Sequence, residues 1–299
     1  MTPPLILYVK RNCLDDGPGI RTTVFFKGCP LSCAWCHNPE SQSVAPELSY
    51  DRERCLGCGA CIMACPREAI DPESADYINR TRCDYCFACV EVCPSGALSA
   101  MGRRMSVDEI VAIIEKDLPF FRQSKGGVTL SGGEPTMFVE FAAALARACR
   151  ERGVHTLLET CGQFEFKLFR EQLFPQLDSI YFDVKLIDSK QHREHCGVGN
   201  ERIIDNLRAL AKLANDGGAT VLPRIPLAPG VTDTDENLRG LASLLHELGF
   251  RAVALLPYNP TWHKKSKMLG RAPRFAATNW LSAERLAQCR SFFHEFEIF

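Results

Sequence analysis

The sequence predicts an α/β fold of parallel strands joined by crossover helices, interrupted early by a small cysteine-rich insertion. Two observations carry this. Short apolar strand patterns alternate with helical ones through the last two hundred residues, as parallel sheets with helical crossovers require. Eleven of the chain's 16 cysteines fall between Cys29 and Cys93, inside a segment that shows no such alternation. The elements follow in order. A strand is expected at Thr22–Lys27. Ser106 and Glu109 form a capping box that opens a helix from Val107 to about Asp117, with Ile110, Ile113 and Ile114 on one face. A glycine-bounded strand at Gly127–Gly132 precedes an Ala-rich helix at Phe138–Arg152. Then come a strand at His155–Thr160, a helix at Phe166–Leu173 and a strand at Ser179–Lys185. A helix near Glu201–Asn215 leads to a strand from Thr220. A helix near Asp235–Leu248 leads to a strand at Arg251–Tyr258, and a last helix covers about Ala283–His294. Six strand–helix units result, and periodicity alone leaves a barrel and an open doubly wound sheet as alternatives.

Composition narrows the function. The 299 residues are 46% hydrophobic and 24% charged with a net charge of −1, a soluble mix with no overall attraction to nucleic acid or to a membrane surface. No apolar run approaches the roughly 18 residues of a transmembrane helix, and MTPPLILYVKRN meets charge too early for a secretory signal. A cytoplasmic location is expected. In a reducing cytosol, clustered cysteines bind metal more often than they form disulfides. The scattered Cys13, Cys149, Cys161, Cys196 and Cys289 read as small buried hydrophobes and receive no role.

The cysteine cluster contains a repeat. Cys55, Cys58, Cys61 and Cys65-Pro66 recur 28 positions later as Cys83, Cys86, Cys89 and Cys93-Pro94. The spacing C-x2-C-x2-C-x3-C-P is the bacterial ferredoxin run, in which the fourth cysteine ligates the other cluster. Cys55, Cys58, Cys61 and Cys93 are expected to hold one [4Fe–4S] cluster, and Cys83, Cys86, Cys89 and Cys65 a second. Paired C-x2-C also suits zinc, but four such steps with two C-P endings favour iron–sulfur. The segment spans about residues 51–100. Its flanks SQSVAPELSY and SAMGRRMS read as polar linkers, so residues 1–50 and 101–299 form the remaining unit.

Upstream, Cys29, Cys33 and Cys36 form a C-x3-C-x2-C triplet followed by His37-Asn38-Pro39. Three thiolates can hold a cubane with one iron left open, and an open coordination position is where substrate or cofactor binds. Closure by His37 or a stray cysteine is the alternative. Together with Asp16-Gly-Pro-Gly-Ile-Arg21-Thr-Thr and Phe-Phe-Lys-Gly-Cys-Pro, these residues resemble the activating enzymes of glycyl radical enzymes, in the radical S-adenosylmethionine (SAM) superfamily. The resemblance implies a partial (β/α)6 TIM-like barrel with an inserted ferredoxin-type two-cluster domain. It implies three [4Fe–4S] clusters, with SAM chelating the open iron of the triplet's cluster. One electron passed to the sulfonium then gives methionine and a 5′-deoxyadenosyl radical, which takes hydrogen from a backbone glycine of the partner.

Parallel folds place sites at strand C-termini, and polar residues cluster there. Ser131-Gly132-Gly133-Glu134-Pro135 resembles the family's motif for the SAM amino group. Glu159, and Asp183-Val184-Lys185, match family carboxylate and Asp-x-Lys positions, with Lys185 suited to the SAM carboxylate. Asn259 stands where many relatives carry histidine, with His263 close behind. Trp35, beside Cys36, is expected either to lie against the adenine or to pack the barrel mouth. Arg224 to Asp233 resembles the family's strand-plus-loop with a Pro-Gly turn.

Three functions compete. A non-catalytic polyferredoxin-like carrier explains Cys55–Cys93 and leaves the triplet and strand-end residues without a purpose. A radical SAM enzyme acting on a small molecule or peptide commonly carries its auxiliary clusters C-terminal to the barrel, whereas here they interrupt it near its start. An activase explains both. The resemblance implies a partner other than pyruvate formate-lyase, since that enzyme's activase lacks the insertion. It also implies contact with the partner's glycine loop, a flavodoxin or ferredoxin donor, and a monomer.

Overall fold

The computed structural model describes residues 3–74 and 76–299. Its backbone is built on a nine-stranded sheet whose central strands are parallel, with a separate two-stranded ribbon. In chain order the strands are β1 (Leu5–Cys13), β2 (Arg21–Phe26), β3 (Glu47–Tyr50), β4 (Leu98–Met101), β5 (Arg103–Arg104), β6 (Gly127–Gly132), β7 (His155–Thr160), β8 (Ser179–Asp183), β9 (Thr220–Leu227), β10 (Ala252–Pro257) and β11 (Glu297–Ile298). The main sheet runs β11-β10-β9-β8-β7-β6-β2-β1-β5. Its six central strands, β2 and β6 to β10, are paired parallel. These are the six expected strands, and they form the partial barrel. The sequence reading did not contain three edge strands. β1 pairs antiparallel with β2, the two-residue β5 pairs with β1, and the two-residue β11 pairs parallel with β10.

Strands covered on both faces are buried along their length, mostly with apolar residues; β2 also buries Arg21, Thr22 and Thr23. In β2 and β6 nearly every residue is buried. Phe26, Leu130, Leu158, Ile180, Phe182 and Ile225 meet helix residues such as Leu145, Phe169, Leu207 and Leu241 in one continuous core. Each large apolar side chain so buried contributes about 1.5–3 kcal/mol.

The helices follow the expected pattern with shifted ends. Ser106 and Glu109 make both bonds of the capping box, and the α-helix they open ends at Ile114 before a 3-10 turn at Glu115–Asp117. A second short helix, Leu118–Ser124, follows. The Ala-rich helix covers Val139–Arg150, and the last helix covers Ala283–Ser291. The Phe166–Leu173 segment begins as one α turn and widens into a π turn at Phe169–Leu173. The helices Leu118–Ser124, Ser189–Cys196 after β8 and Trp262–Met268 after β10 were not expected, nor were the short turns Ala60–Ala64 and Ala88–Glu91 of the cysteine-rich segment.

One polar residue of the DGPGIRT run serves the scaffold at the end of the barrel away from strand C-termini. Arg21 is fully buried. It donates to Thr129 Oγ1 (3.0 Å) and to the carbonyl of Val128 (2.5 Å), and its guanidinium lies 3.2 Å from His155 Nδ1. Burial holds its pKa down to about 10, which leaves it charged at neutral pH.

The cysteine-rich segment has its own small core, in which Leu48, Ile70, Ile78 and Leu98 pack with Cys61 and Cys89. Its flanks are not free linkers. β3 and β4 pair antiparallel, Tyr50 opposite Leu98 and Glu47 opposite Met101, across the expected boundaries at 51 and 100. The polar flank composition hid this ribbon because only alternate residues face the segment's core. Ion pairs tie the segment to the barrel. Lys27 reaches Glu47 at 2.7 Å, Lys264 bridges Glu53 and Asp51, and Arg80 donates to the carbonyls of Leu48 and Met268. Among the described residues, no helix is long and apolar enough to cross a membrane.

Candidate functional site

A cavity of ≈ 500 Å³ opens at the strand C-termini, within the usual range for a site that holds a cofactor-sized molecule. The triplet loop leaves β2 and crosses this opening, so that Cys29, Cys33 and Cys36 line one wall. Backbone contacts hold the loop there. Gly28 N donates to the carbonyl of Ser41 (2.7 Å), and Cys29 N to that of Gln42 (3.1 Å). From the neighbouring strand, Gly133 N donates to the Phe26 carbonyl (2.9 Å) and Glu134 N to the Gly28 carbonyl (2.7 Å). A Cβ at position 133 would lie 2.1 Å from the Gly28 oxygen, and one at 132 would lie 2.5 Å from Phe26 N. The two glycines are therefore required where two backbones meet, and they also border the cavity.

Opposite the triplet stand the strand-end groups. Arg224, on β9, donates Nε to Asp183 Oδ1 at 2.9 Å and pairs through Nη1 with Glu159. Its backbone lies in register with Asp183, and its guanidinium sits 5.3 Å over the Tyr181 ring. Ser131 Oγ donates to the second oxygen of Glu159 at 2.5 Å. Lys185 Nζ reaches Asp183 Oδ2 at 3.3 Å. Burial alone would raise the Asp183 carboxyl, but Arg224 and Lys185 outweigh it and hold the group below its usual range. Asp183 and Glu159 overcome burial and raise Arg224, and Asp183 raises Lys185 in the same way. Two carboxylates and two cations, all largely buried, form a charge-balanced floor.

Most residues expected in the site are brought together. Trp35, Cys36, His37, Gly132, Gly133, Glu159, Asp183, Lys185 and Asn259 all border the cavity. Trp35 does so while packed edge-on against Phe275, in an apolar group with Leu186, Tyr258 and Trp262. Burial, with Lys265 nearby, lowers the His37 pKa and keeps its ring neutral at neutral pH.

Two expected residues stand elsewhere. Glu134 is fully buried outside the cavity wall. It accepts from Cys161 N (2.6 Å), Thr160 Oγ1 (2.9 Å) and Thr136 (2.6 Å from Oγ1), joining two strand-end loops. Val184 is likewise fully buried and off the wall. Of the pair left open, Asn259 borders the cavity; His263 is bonded instead to the carbonyl of Ala277 at 2.8 Å.

Sequence reasoning gave no role to Arg224, although a charged residue between two prolines on a strand was a visible signal. It also set aside Cys161 and Cys196. Cys161 borders the same cavity as Cys29. Cys196 is fully buried, in the apolar group against which Cys33 packs.

In the ferredoxin-like segment, a small cavity gathers Cys55, Cys58, Cys61 and Cys93, three thiols of the first repeat and the last of the second. Tyr50 and Tyr77, stacked at 4.1 Å, close its inner side, and the Tyr77 hydroxyl is 3.2 Å from Cys61 Sγ. Burial, then the adjacent Cys83 and Cys65, push the Cys89 thiol up to about 11. The fourth cysteine of the second repeat thus joins three of the first, as the spacing predicts. Among the described residues no group of three His, Cys, Asp or Glu side chains is placed to hold a single metal ion.

Comparison with known proteins agrees with this geometry. The profile described as the radical SAM superfamily matches residues 80–242, a 4Fe-4S dicluster profile matches 47–94, and a 4Fe-4S single-cluster profile matches 15–65. A radical SAM methyltransferase structure from Sphaerobacter thermophilus superposes with a TM-score of 0.56 at 17% identity, covering 100% of this chain and 77% of that one, and shows the fold alone. Fold and site together define an iron–sulfur, SAM-using barrel. Among curated relatives, the trans-4-hydroxy-L-proline dehydratase activating enzyme of Clostridioides difficile is 43% identical, covering 89% of this chain and 88% of its own. The isethionate sulfite-lyase activating enzyme of Nitratidesulfovibrio vulgaris is 41% identical over 90% and 89%. The benzylsuccinate synthase activating enzyme of Thauera aromatica is 40% identical over 91% and 83%. The chain belongs to the glycyl-radical-enzyme activating enzymes of the radical SAM superfamily.

The floor of the site makes a structural prediction. Arg224→Met leaves Glu159 and Asp183 as buried charges short of a partner, and should cost about 3–5 kcal/mol in urea denaturation of the cluster-loaded protein. A loss below about 1 kcal/mol would show that the network behaves as a surface ion pair.

Proposed function

We propose that this chain activates a glycyl radical enzyme other than pyruvate formate-lyase, using a SAM-binding [4Fe–4S] cluster on Cys29, Cys33 and Cys36 and two ferredoxin-type clusters. The observation that carries the reading is the single cavity shared by the triplet and the strand-end groups of β6 to β10. Relatives named for dehydratase, sulfite-lyase and benzylsuccinate synthase activation support the partner class.

The residues present suit the cofactors. Three thiols on one loop leave a cubane one iron short of protein ligands, and the cavity accommodates a nucleoside-sized molecule beside it. When bound and reduced, that cluster supplies the electron that cleaves SAM to methionine and a 5′-deoxyadenosyl radical. The chain's own work is orientation. Lys185 offers a buried ammonium to the SAM carboxylate as a point charge. Glu159 and Asp183, fixed by Arg224, face the amino and ribose groups as acceptors. The Gly132-Gly133 backbone allows close approach. Trp35 and Asn259 border the space left for the adenine.

The crossed thiol sets support clusters on Cys55, Cys58, Cys61 and Cys93, and on Cys83, Cys86, Cys89 and Cys65. Cys58 and Cys86 are exposed, which suits electron entry from a flavodoxin or ferredoxin. We further propose that the protein works as a monomer in the reducing cytosol.

Two experiments test this. Anaerobically reconstituted and reduced protein should release 5′-deoxyadenosine from SAM, and Cys33→Ala should not; equal release by both would remove the triplet from the reaction. Cys58→Ala and Cys86→Ala should slow partner activation by a reduced flavodoxin while sparing SAM cleavage driven by dithionite. Unchanged activation by flavodoxin would refute the relay.

A further inference from the structure

The Phe-Phe-Lys-Gly-Cys-Pro run and the Pro39-Glu40 pair behind the triplet hold two charged residues that the proposed chemistry does not use, Lys27 and Glu40. Lys27 follows β2 directly and is fully buried. Its ammonium donates to Glu47 Oε2 (2.7 Å) and to the carbonyl of Glu40 (2.6 Å). Glu47 opens β3 and so carries the chain into the ferredoxin-like segment. The other oxygen of Glu47 pairs with Arg271, whose guanidinium also donates to the carbonyl of Pro39 (2.7 Å). Each of the two cations therefore grips Glu47 and one carbonyl of the turn that follows the triplet. Glu40 adds a third tie. Its carboxylate pairs with Lys265 at 3.1 Å, and that ammonium also donates to Asn38 Oδ1 at 2.8 Å. The segment leaves over the same lysine by which it enters. Glu47 lies opposite Met101, the last residue of β4. Gly102 follows at φ +92°, where a Cβ would stand 2.8 Å from Lys27 Cδ.

Lys27 stands two residues before Cys29, and Pro39 stands three after Cys36. The triplet loop and both ends of the ferredoxin-like segment are thus pinned to one buried charge group. Buried ion pairs give little net stability, because desolvation offsets their attraction, but breaking one leaves a charge stranded. Any other seating of the segment would leave Lys27 buried without its carboxylate. The knot therefore fixes where one thiol set stands against the other. Transfer between two held groups depends on such placement, and a shift of about an ångström can cost up to roughly a hundredfold in rate.

We propose that Lys27, Glu47 and Arg271 are positioning residues that seat the ferredoxin-like segment against the triplet loop and so set the rate at which electrons cross between them. This rests on the proposal that both hold [4Fe–4S] clusters and that the segment relays electrons. One electron leaves the segment, which is oxidised, and enters the triplet's cluster, which is reduced. The flavodoxin or ferredoxin proposed above replaces it. No covalent bond is made or broken.

The test uses the full chain loaded with its clusters. In the fully reduced wild type, magnetic interaction with the neighbouring clusters should broaden the electron paramagnetic resonance signal that changes when SAM is added. Arg271 is partly exposed, and Arg271→Met should weaken that interaction. The same variant should lower the ratio of flavodoxin-driven to dithionite-driven 5′-deoxyadenosine release about tenfold. Its cluster midpoint potentials and its dithionite-driven release should match the wild type. Arg271→Lys keeps a charge beside Glu47 and should recover most of the ratio. Glu47→Gln, nearly the same in shape, should lower the ratio as Arg271→Met does, and preserves the test if Arg271→Met fails to load iron. A ratio unchanged in both Arg271→Met and Glu47→Gln overturns the inference. So does a fall that accompanies shifted potentials, or Arg271→Lys behaving as Arg271→Met. A wild type with neither the interaction nor flavodoxin-driven release would instead overturn the relay reading, and this inference with it.

Discussion

The barrel mouth depends on one close approach of two backbones. The loop that leaves β2 carries three cysteines across an opening, anchored on its apolar side by buried Leu31 and Trp35. It is held because Gly133 and Glu134 of the neighbouring strand end donate to the carbonyls of Phe26 and Gly28. Any side chain at 133 would collide with the Gly28 oxygen. Glu134 then carries the restraint onward to the amide of Cys161. Three strand ends are thereby locked together, which matches the general need to hold reacting groups in place by their supporting partners.

A second restraint works on charge. Glu159, Asp183, Lys185 and Arg224 are nearly removed from water, and each is satisfied by another. Such a group contributes little net stability, because desolvation offsets the attraction. Its value lies in orientation: acceptors and a donor ammonium are presented to the cavity at fixed angles. The ferredoxin-like segment is tied down differently, by ion pairs from Lys27, Lys264 and Arg271 onto Glu47, Asp51 and Glu53. The helix Trp262–Met268 contributes to both arrangements. Trp262 packs under the barrel mouth, Lys265 donates to Asn38 of the triplet loop at 2.8 Å, and Lys264 pairs with the segment. The mouth and the ferredoxin-like segment are therefore joined through one short element.

Much of this was legible in the residues. Cysteine spacing encodes ligand sets directly, because each x2 or x3 step fixes how a short loop wraps a cluster, and the six central strands declared themselves by apolar runs between helices. The unreadable parts share a cause: they are set by partners distant in sequence. β1 looks like a charged, apolar-alternating terminus until β2 is beside it. The β3–β4 ribbon is polar on one face, so its composition imitates a linker. Arg224 takes its meaning from register with Asp183, a pairing between positions 41 residues apart. Glu134 belongs to a motif that suggests a ligand contact, yet its carboxylate is consumed by backbone amides and hydroxyls. Cys161 and Cys196 were lone cysteines in the chain, and only folding sets them beside Cys29 and Cys33.

The central claim is that the triplet's cluster keeps one iron for SAM at the mouth of this cavity. Electron–nuclear double resonance on the reduced protein, with SAM carrying nitrogen-15 in its amino group and oxygen-17 in its carboxylate, tests it most directly. The account predicts hyperfine coupling of both labels to the cluster, lost in Cys33→Ala. Fully loaded clusters with neither label coupled would contradict it.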